Sequence, residues 1–189
     1  IEINNNNTNN ILNILCCLAV LKELNLDINQ IRNFFKKEFF LKGRGKINQI
    51  QKFNKKFFLV DESYNANPHS VKSAIENFSN IKKGYKRKYF LFGDMLELGK
   101  KSQLYHKKIS QFINNSDIDK TFVYGTKSKE TFKFLKANKR GEVVRDLKSF
   151  DLIISKLLKN GDFLMVKGSN ATKVHEISKK LLRGANNVV

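Results

Sequence analysis

Proline is nearly missing from this chain: Pro68 is its only occurrence in 189 residues. Cysteine is scarce as well. Cys16 and Cys17 are adjacent and stand in an apolar helical run. Adjacent cysteines rarely bridge each other and no third one is available, which excludes a disulfide framework. Both are expected to be reduced core residues of a cytosolic protein. His69, His106 and His175 are far apart and lack HxH or HxxxH spacing, so no metal site is expected. No Ser-His-Asp or Cys-His grouping stands out, and no catalytic residue is assigned. The longest apolar run, Ile14 to Leu21, is far too short to cross a bilayer, and no membrane insertion is expected. The first ten residues are mostly Asn with no basic flank, unlike a signal peptide, so a cytoplasmic location is expected. A phosphate-binding Walker loop is missing too. Gly43-Arg44-Gly45-Lys46 lacks the GxxxxGK[ST] spacing, and Ile47 follows where Ser or Thr should stand.

Acidic residues are in deficit, 17 Asp plus Glu against 36 Lys plus Arg, for a formal net charge of +19. Such a surplus suits a nucleic-acid binder. The lysines are spread over every segment with no long block of like charge, which favours a solvated basic surface instead. A basic surface also suits anionic small substrates such as nucleotides. The expectation is therefore small-molecule partners and no nucleic acid; a monomer is also expected. The first residue is Ile and the chain opens in mid-pattern, so a fragment with a missing upstream part is expected.

The chemistry concentrates between Phe57 and Ser70, FFLVDESYNANPHS. Phe57, Phe58, Leu59 and Val60 are a continuous apolar run, as in a short strand buried on both faces. Asp61 and Glu62 follow at its end. Pro68 suits the first position of a helix with Asn67 as its N-cap. Val71, Ala74, Ile75 and Phe78 continue as the apolar stripe of that helix. Polar side chains thus crowd a strand-to-helix turn, which in open α/β sheets lies on the ligand-binding edge.

Upstream, Ile11, Ile14, Leu15, Leu18 and Leu21 predict one helix, and Ile31 to Phe39 a second, ending at the hinge-like Gly43-Arg44-Gly45. Strands and helices then alternate. Strands are predicted at 47–53, 57–60, 89–92, 121–124, 142–144 (an edge strand) and 163–166, with a tight turn at Lys55 and Lys56. Helices are predicted at 68–80, 102–114, 129–137, 149–158 and 171–182. That alternation implies an α/β fold with a Rossmann-like, mostly parallel, doubly wound sheet preceded by a helical piece.

Four strand ends then share one edge: Asp61 to Asn67, Gly93 to Gly99, Gly125-Thr126-Lys127 and Lys167-Gly168-Ser169-Asn170. Asp61 and Glu62 can accept from a ribose hydroxyl or a substrate ammonium. Lys167 can pair with a carboxylate or phosphate. Ser169 and the N–H groups opening the last helix can hold an anion. Taken singly, each turn is equally what any βα connection requires.

The run Asp61-Glu62-Ser63-Tyr64-Asn65-Ala66-Asn67-Pro68 then Ser70 resembles the signature of the Mur ligase family, in its branch that adds D-alanyl-D-alanine to the peptidoglycan precursor. Gly43-Arg44, Gly93-Asp94-Met95-Leu96-Glu97-Leu98-Gly99 with the trailing His106, and Val166-Lys167-Gly168-Ser169 match further family segments in order. Asn10-Ile11-Leu12-Asn13 is similar to the start of the helix that ends the central domain. The resemblance implies residues 1–42 as the helical end of a central ATP-binding domain, 43–46 as a hinge and 47–189 as the C-terminal domain. It implies an ATP-dependent ligase acting through an acyl phosphate, with ATP and Mg²⁺ held mainly by the missing part. UDP-N-acetylmuramoyl-tripeptide and D-alanyl-D-alanine would be the substrates. Arg44, Asp61 and Glu62 would reach the nucleotide, and Tyr64, Asn65 and Asn67 would sit by its adenine or ribose. Asp94, Lys167, Ser169 and Asn170 would lie by the dipeptide. Three positions depart from the pattern: Glu62 stands for a common Asp, Asn170 for an Arg, and Asn9 for a His. A sister ligase of the same superfamily, such as a folylpolyglutamate synthase, and a basic nucleic-acid-binding module are the competing readings.

Overall fold

Alternation of side chains along the strands decides the architecture. The computed structural model describes residues 8–27, 29, 42–82, 84 and 86–183. The chain divides into two compact units, residues 1–41 and 42–189.

In the larger unit, strands β1 (Lys46–Lys52), β2 (Lys55–Asp61), β3 (Lys88–Gly93), β4 (Lys120–Tyr124), β5 (Arg140–Val144) and β6 (Phe163–Lys167) form one sheet in the order β1-β2-β6-β3-β4-β5. The five strands β2 to β6 run parallel, and β1 joins the edge antiparallel to β2. Successive side chains point to opposite faces. Val60, Phe90, Phe92, Val123 and Met165 therefore pack on one face, against helices α2 (Pro68–Asn80) and α3 (Ser102–Asn114). Phe57, Leu59, Tyr89, Leu91, Leu164 and Val166 pack on the other, against α5 (Leu147–Leu157) and α6 (His175–Leu182). The sheet is covered on both sides, as its continuous apolar strands require. The short α4 (Ser128–Lys133) leads to β5. Helices α2 and α3 leave β2 and β3 to one face, while α6 leaves the intervening β6 to the other. The C-terminal end of β6 is thus flanked by switch points, where open α/β sheets form their crevice.

The expected α/β fold is present, with local corrections. The turn between β1 and β2 is Phe53-Asn54, both at positive φ (56° and 57°), not Lys55-Lys56. A two-residue turn of this twist matches the hairpin. Phe53 reads as strand because it is aromatic, and its ring packs against the core despite its turn position. Helix α4 ends at Lys133 rather than 137; Leu135 is buried from the following turn. The last helix starts at His175 rather than 171, because Lys173 adopts a left-handed conformation after a single 3₁₀ turn at Asn170–Thr172.

In the smaller unit, α1 (Thr8–Glu23) ends through Asn25, at φ 53°, with Leu26 N–H returned to the Leu21 carbonyl. This is a left-handed C-cap. Cys16 and Cys17 are exposed on α1, not core residues as expected. Leu12, Leu15 and Val20 are exposed with them, so the helix has more apolar surface than its described neighbours cover. The expected helix Ile31–Phe39 lies outside the described residues. No helix among the described residues is long and apolar enough to cross a membrane.

Candidate functional site

The turn after β2 is held open by its own polar atoms. Asp61 Oδ1 accepts from the Ser63 N–H (3.3 Å) and hydroxyl (2.5 Å), folding the chain back at once. Asn65 Oδ1 accepts from the Ala66 N–H at 2.8 Å. Asn67 caps α2: its Oδ1 accepts from Ser70 N–H at 2.8 Å, and its own N–H donates to Ser70 Oγ at 3.1 Å. With Pro68 in the first turn this is a complete capping box. The result turns Tyr64 outward, 55% exposed, with Asn65 and Asn67 exposed beside it.

Gly43-Arg44-Gly45 lies against this turn. Gly45 N–H donates to the Asp61 carbonyl at 2.7 Å and Tyr64 N–H to the Gly43 carbonyl at 3.2 Å. A Cβ on Gly43 would stand 2.8 Å from Tyr64 N, and its φ is +75°, so only glycine fits. Arg44 then stacks its guanidinium 4.4 Å above the Tyr64 ring. Motifs some twenty residues apart in sequence thus form one surface.

Beneath the turn Lys167 is buried. Its Nζ donates to the Asn65 carbonyl (3.0 Å) and reaches Glu62 Oε2 (3.4 Å) and the Glu62 carbonyl (3.5 Å). Burial pushes the Lys167 ammonium down and the Glu62 carboxyl up from their ordinary values, and the attraction between the two opposes both shifts. Arg44 adds a second positive charge close enough to act on both.

Ser169 ties the turn to the next strand end. Its hydroxyl donates to the Ala66 carbonyl (3.2 Å) and accepts from Leu96 N–H (2.9 Å), while its N–H donates to the Asp94 carbonyl (2.9 Å). Asp94 continues the chain of contacts. Its carboxylate accepts from the N–H groups of Thr126 (3.0 Å), Lys127 (3.1 Å) and Ser128 (2.7 Å) at the start of α4. Gly125 packs directly on it: a Cβ there would fall 2.3 Å from Oδ1. All four strand-end turns therefore share one rim and are joined by hydrogen bonds. Asn170 is exposed on the turn after β6, between the turns after β2 and β3. Ser169 does not open the last helix as expected, since α6 begins only at His175.

His106 explains a motif that sequence alone left without a role. It is fully buried, its Nε2 accepts from Met95 N–H at 3.1 Å, and its Nδ1 stands 2.8 Å from the Ser102 carbonyl. That pairing requires the neutral ring with the proton on Nδ1. The histidine fixes the 93–99 loop by its backbone. Burial lowers its pKa from 6.5, against the pull of Asp94 and Glu130, with Lys127 acting in the same direction as burial. The folded ring takes up a proton only at a lower pH than the unfolded one, which does so below about 6.5. Stability from this site is complete above that pH and falls as pH drops through it, by at most about 1.4 kcal/mol per pH unit. Urea unfolding at pH 7.5 and 5.5 is expected to show a steeper loss for the wild type than for His106→Gln, whose amide oxygen can still receive Met95 N–H. Equal slopes would remove the histidine from the account.

Among the described residues no group of three His, Cys, Asp or Glu converges to hold a metal ion. A cavity of about 520 Å³ lies away from this rim, between α5 and the starts of β4 and β5, lined by Lys120, Phe122, Arg140 and Leu152 among others.

Residues 47–170 match the family model of the Mur ligase glutamate ligase domain. This chain belongs to the Mur ligase family. Among curated Mur ligases, the UDP-N-acetylmuramoyl-tripeptide–D-alanyl-D-alanine ligase of Buchnera aphidicola subsp. Baizongia pistaciae is 34% identical over 181 residues, 92% of this chain and 36% of that protein. The Bacillus subtilis ligase of the same name is 30% identical over 145 residues, 75% of this chain and 32% of that protein. The chain thus spans about a third of the length of the curated relatives it matches. The crystal structure of the MurF ligase from Thermotoga maritima, in complex with ADP, shares the fold with a TM-score of 0.74 at 21% identity, over 95% of this chain and 39% of that one. The family reading made from the Asp61–Pro68 run is borne out.

Sequence reasoning placed the Mur ligase motifs on one rim but missed how they join. The Arg44–Tyr64 stack and the Asp94 carboxylate both depend on long-range packing that no local spacing announces. The Asp61–Ser63 turn did have a signal, an Asp two residues before a Ser at a strand end.

Proposed function

We propose that this chain is the C-terminal part of an ATP-dependent amide ligase that adds D-alanyl-D-alanine to UDP-N-acetylmuramoyl-tripeptide in cytoplasmic peptidoglycan precursor synthesis. Residues 1–42 end a central domain, 43–46 are the hinge and 47–189 the C-terminal domain, acting as a monomer. The observation that carries this reading is the rim itself. Tyr64, Asn65 and Asn67 are exposed on a rigid turn, with Arg44 stacked alongside. The names of the relatives and the ADP complex of a structural neighbour support the same substrates.

The side chains fit a nucleotide. Tyr64 offers a ring face to the adenine, Asn65 and Asn67 offer amides to base or ribose, Glu62 an acceptor to a ribose hydroxyl, and Arg44 a planar cation to phosphate. ATP, with Mg²⁺ held mainly by the proposed central domain, would supply the phosphoryl group that turns the tripeptide carboxylate into an acyl phosphate with release of ADP, and the dipeptide amine would then displace phosphate to form the amide. The residues of this chain orient the nucleotide and bring the dipeptide up on domain closure. Of the four residues expected near the dipeptide, Asp94, Lys167 and Ser169 are buried and Asn170 is the exposed one.

The test is phosphate release by the ligase that carries this chain. Release is expected only when ATP, the UDP-linked tripeptide and D-alanyl-D-alanine are all present, and none from the 189-residue chain alone, which has no Walker loop. Turnover by the chain alone, or release indifferent to the dipeptide, would defeat the proposal.

A further inference from the structure

Lys167 and Ser169 are the two residues of the Lys167-Gly168-Ser169 segment that a dipeptide carboxylate would be expected to meet. Their polar atoms are already engaged inside the protein. An ammonium has three N–H donors and no acceptor. Those of Lys167 face three acceptors of a single turn, the Asn65 carbonyl, Glu62 Oε2 and the Glu62 carbonyl. The residue is 2% exposed. The Ser169 hydroxyl donates its one proton to the Ala66 carbonyl and accepts from Leu96 N–H, at 5% exposure. Gly168 serves a third purpose, since a Cβ there would stand 2.9 Å from Gly93 Cα. Each residue of the segment therefore braces a neighbouring loop from below.

We infer that Lys167 is a positioning residue for the nucleotide, acting through the 62–67 turn, rather than a ligand of the dipeptide. The inference rests on the proposed ligase reading for its substrates, but the bracing itself does not. Lys167 pulls the Asn65 carbonyl inward, and this turns the Asn65 and Tyr64 side chains outward to the rim. Glu62 neutralises the lysine and has its own carboxylate aimed by it. Loss of the lysine leaves a partly buried carboxylate and the Asn65 carbonyl without their partner under the turn, and the turn relaxes.

Two measurements test this. The first is amide hydrogen exchange on the 189-residue chain carrying Lys167→Met or Lys167→Gln. Exchange at Ser63, Tyr64 and Ala66 is expected to speed up by tenfold or more, while amides of β3 and β4 stay as in the wild type. The Gln variant, which can still donate to the Asn65 carbonyl, is expected to recover part of the protection. Unchanged exchange at those three amides overturns the inference. The second is steady-state kinetics of the ligase carrying each variant. The KM for ATP is expected to rise at least tenfold and the KM for D-alanyl-D-alanine to change less than twofold. A tenfold rise for the dipeptide with ATP unaffected overturns it. If the wild-type ligase lacks the activity while the exchange result is as expected, the ligase reading falls and the bracing stands.

Discussion

Asp94→Ala is expected to lower folding stability by about 3 kcal/mol. The carboxylate is buried and accepts three backbone N–H bonds from the β4–α4 turn. Bonds to a charged acceptor contribute about 1.5–3 kcal/mol each, and an orphaned buried N–H costs about 1–3 kcal/mol. Thr126 and Lys127 are exposed, so water replaces part of what their amides lose, whereas Ser128 is buried and its amide is orphaned. In a domain of this size the melting temperature falls by roughly 6–12 °C. Asp94→Asn loses the charge and turns an NH₂ group toward at least one donor, so it recovers only part. Chemical denaturation checks both, and a change under about 1 kcal/mol for alanine would mean that the turn is held otherwise.

Arg44→Ala is expected to weaken ATP binding strongly while leaving the fold intact. Arg44 is exposed, and its stack on Tyr64 at 4.4 Å is its one described aromatic contact. An exposed cation–π pair contributes only about 0.5–1 kcal/mol to stability. A charge-assisted bond to a phosphate contributes about 1.5–3 kcal/mol, which corresponds to a rise of about 10- to 100-fold in the KM for ATP. Arg44→Lys keeps the charge but neither the planar fork nor the stack, and is expected to recover less than half of the free energy. Kinetics of the ligase carrying each variant, beside a melting curve, separate the two effects. An unchanged KM would remove Arg44 from the nucleotide.

The contrast between these two residues marks what could be read from sequence. Local chemistry was legible: Asn67 and Pro68 announce the start of α2, and the apolar runs announce strands buried on both faces. Positions where packing overrides propensity were not. Phe53 occupies a left-handed turn because its ring reaches the core, and Lys173 takes the same backbone region and so delays α6. The site divides in the same way. The shared rim follows from parallel strands. Which groups face outward does not, because that depends on distant partners: Asp94 spends its charge on amides more than thirty residues away, Lys167 on a turn formed a hundred residues earlier, and His106 on the Met95 backbone. Three groups with the chemistry of a ligand site are thereby used to hold the turns of the rim.

The most direct test is photolabelling of the proposed ligase, with this chain as its C-terminal part, by 8-azido-ATP, followed by tryptic mapping. Cleavage after Lys56 and Lys72 isolates residues 57–72, the whole Asp61–Pro68 turn on one peptide. The adenine label carried by this chain is expected on that peptide, at Tyr64 or Asn65, and to vanish with excess ATP. Label absent from residues 57–72 and found instead on 141–145, at the far edge of the sheet, would contradict a nucleotide received at the rim.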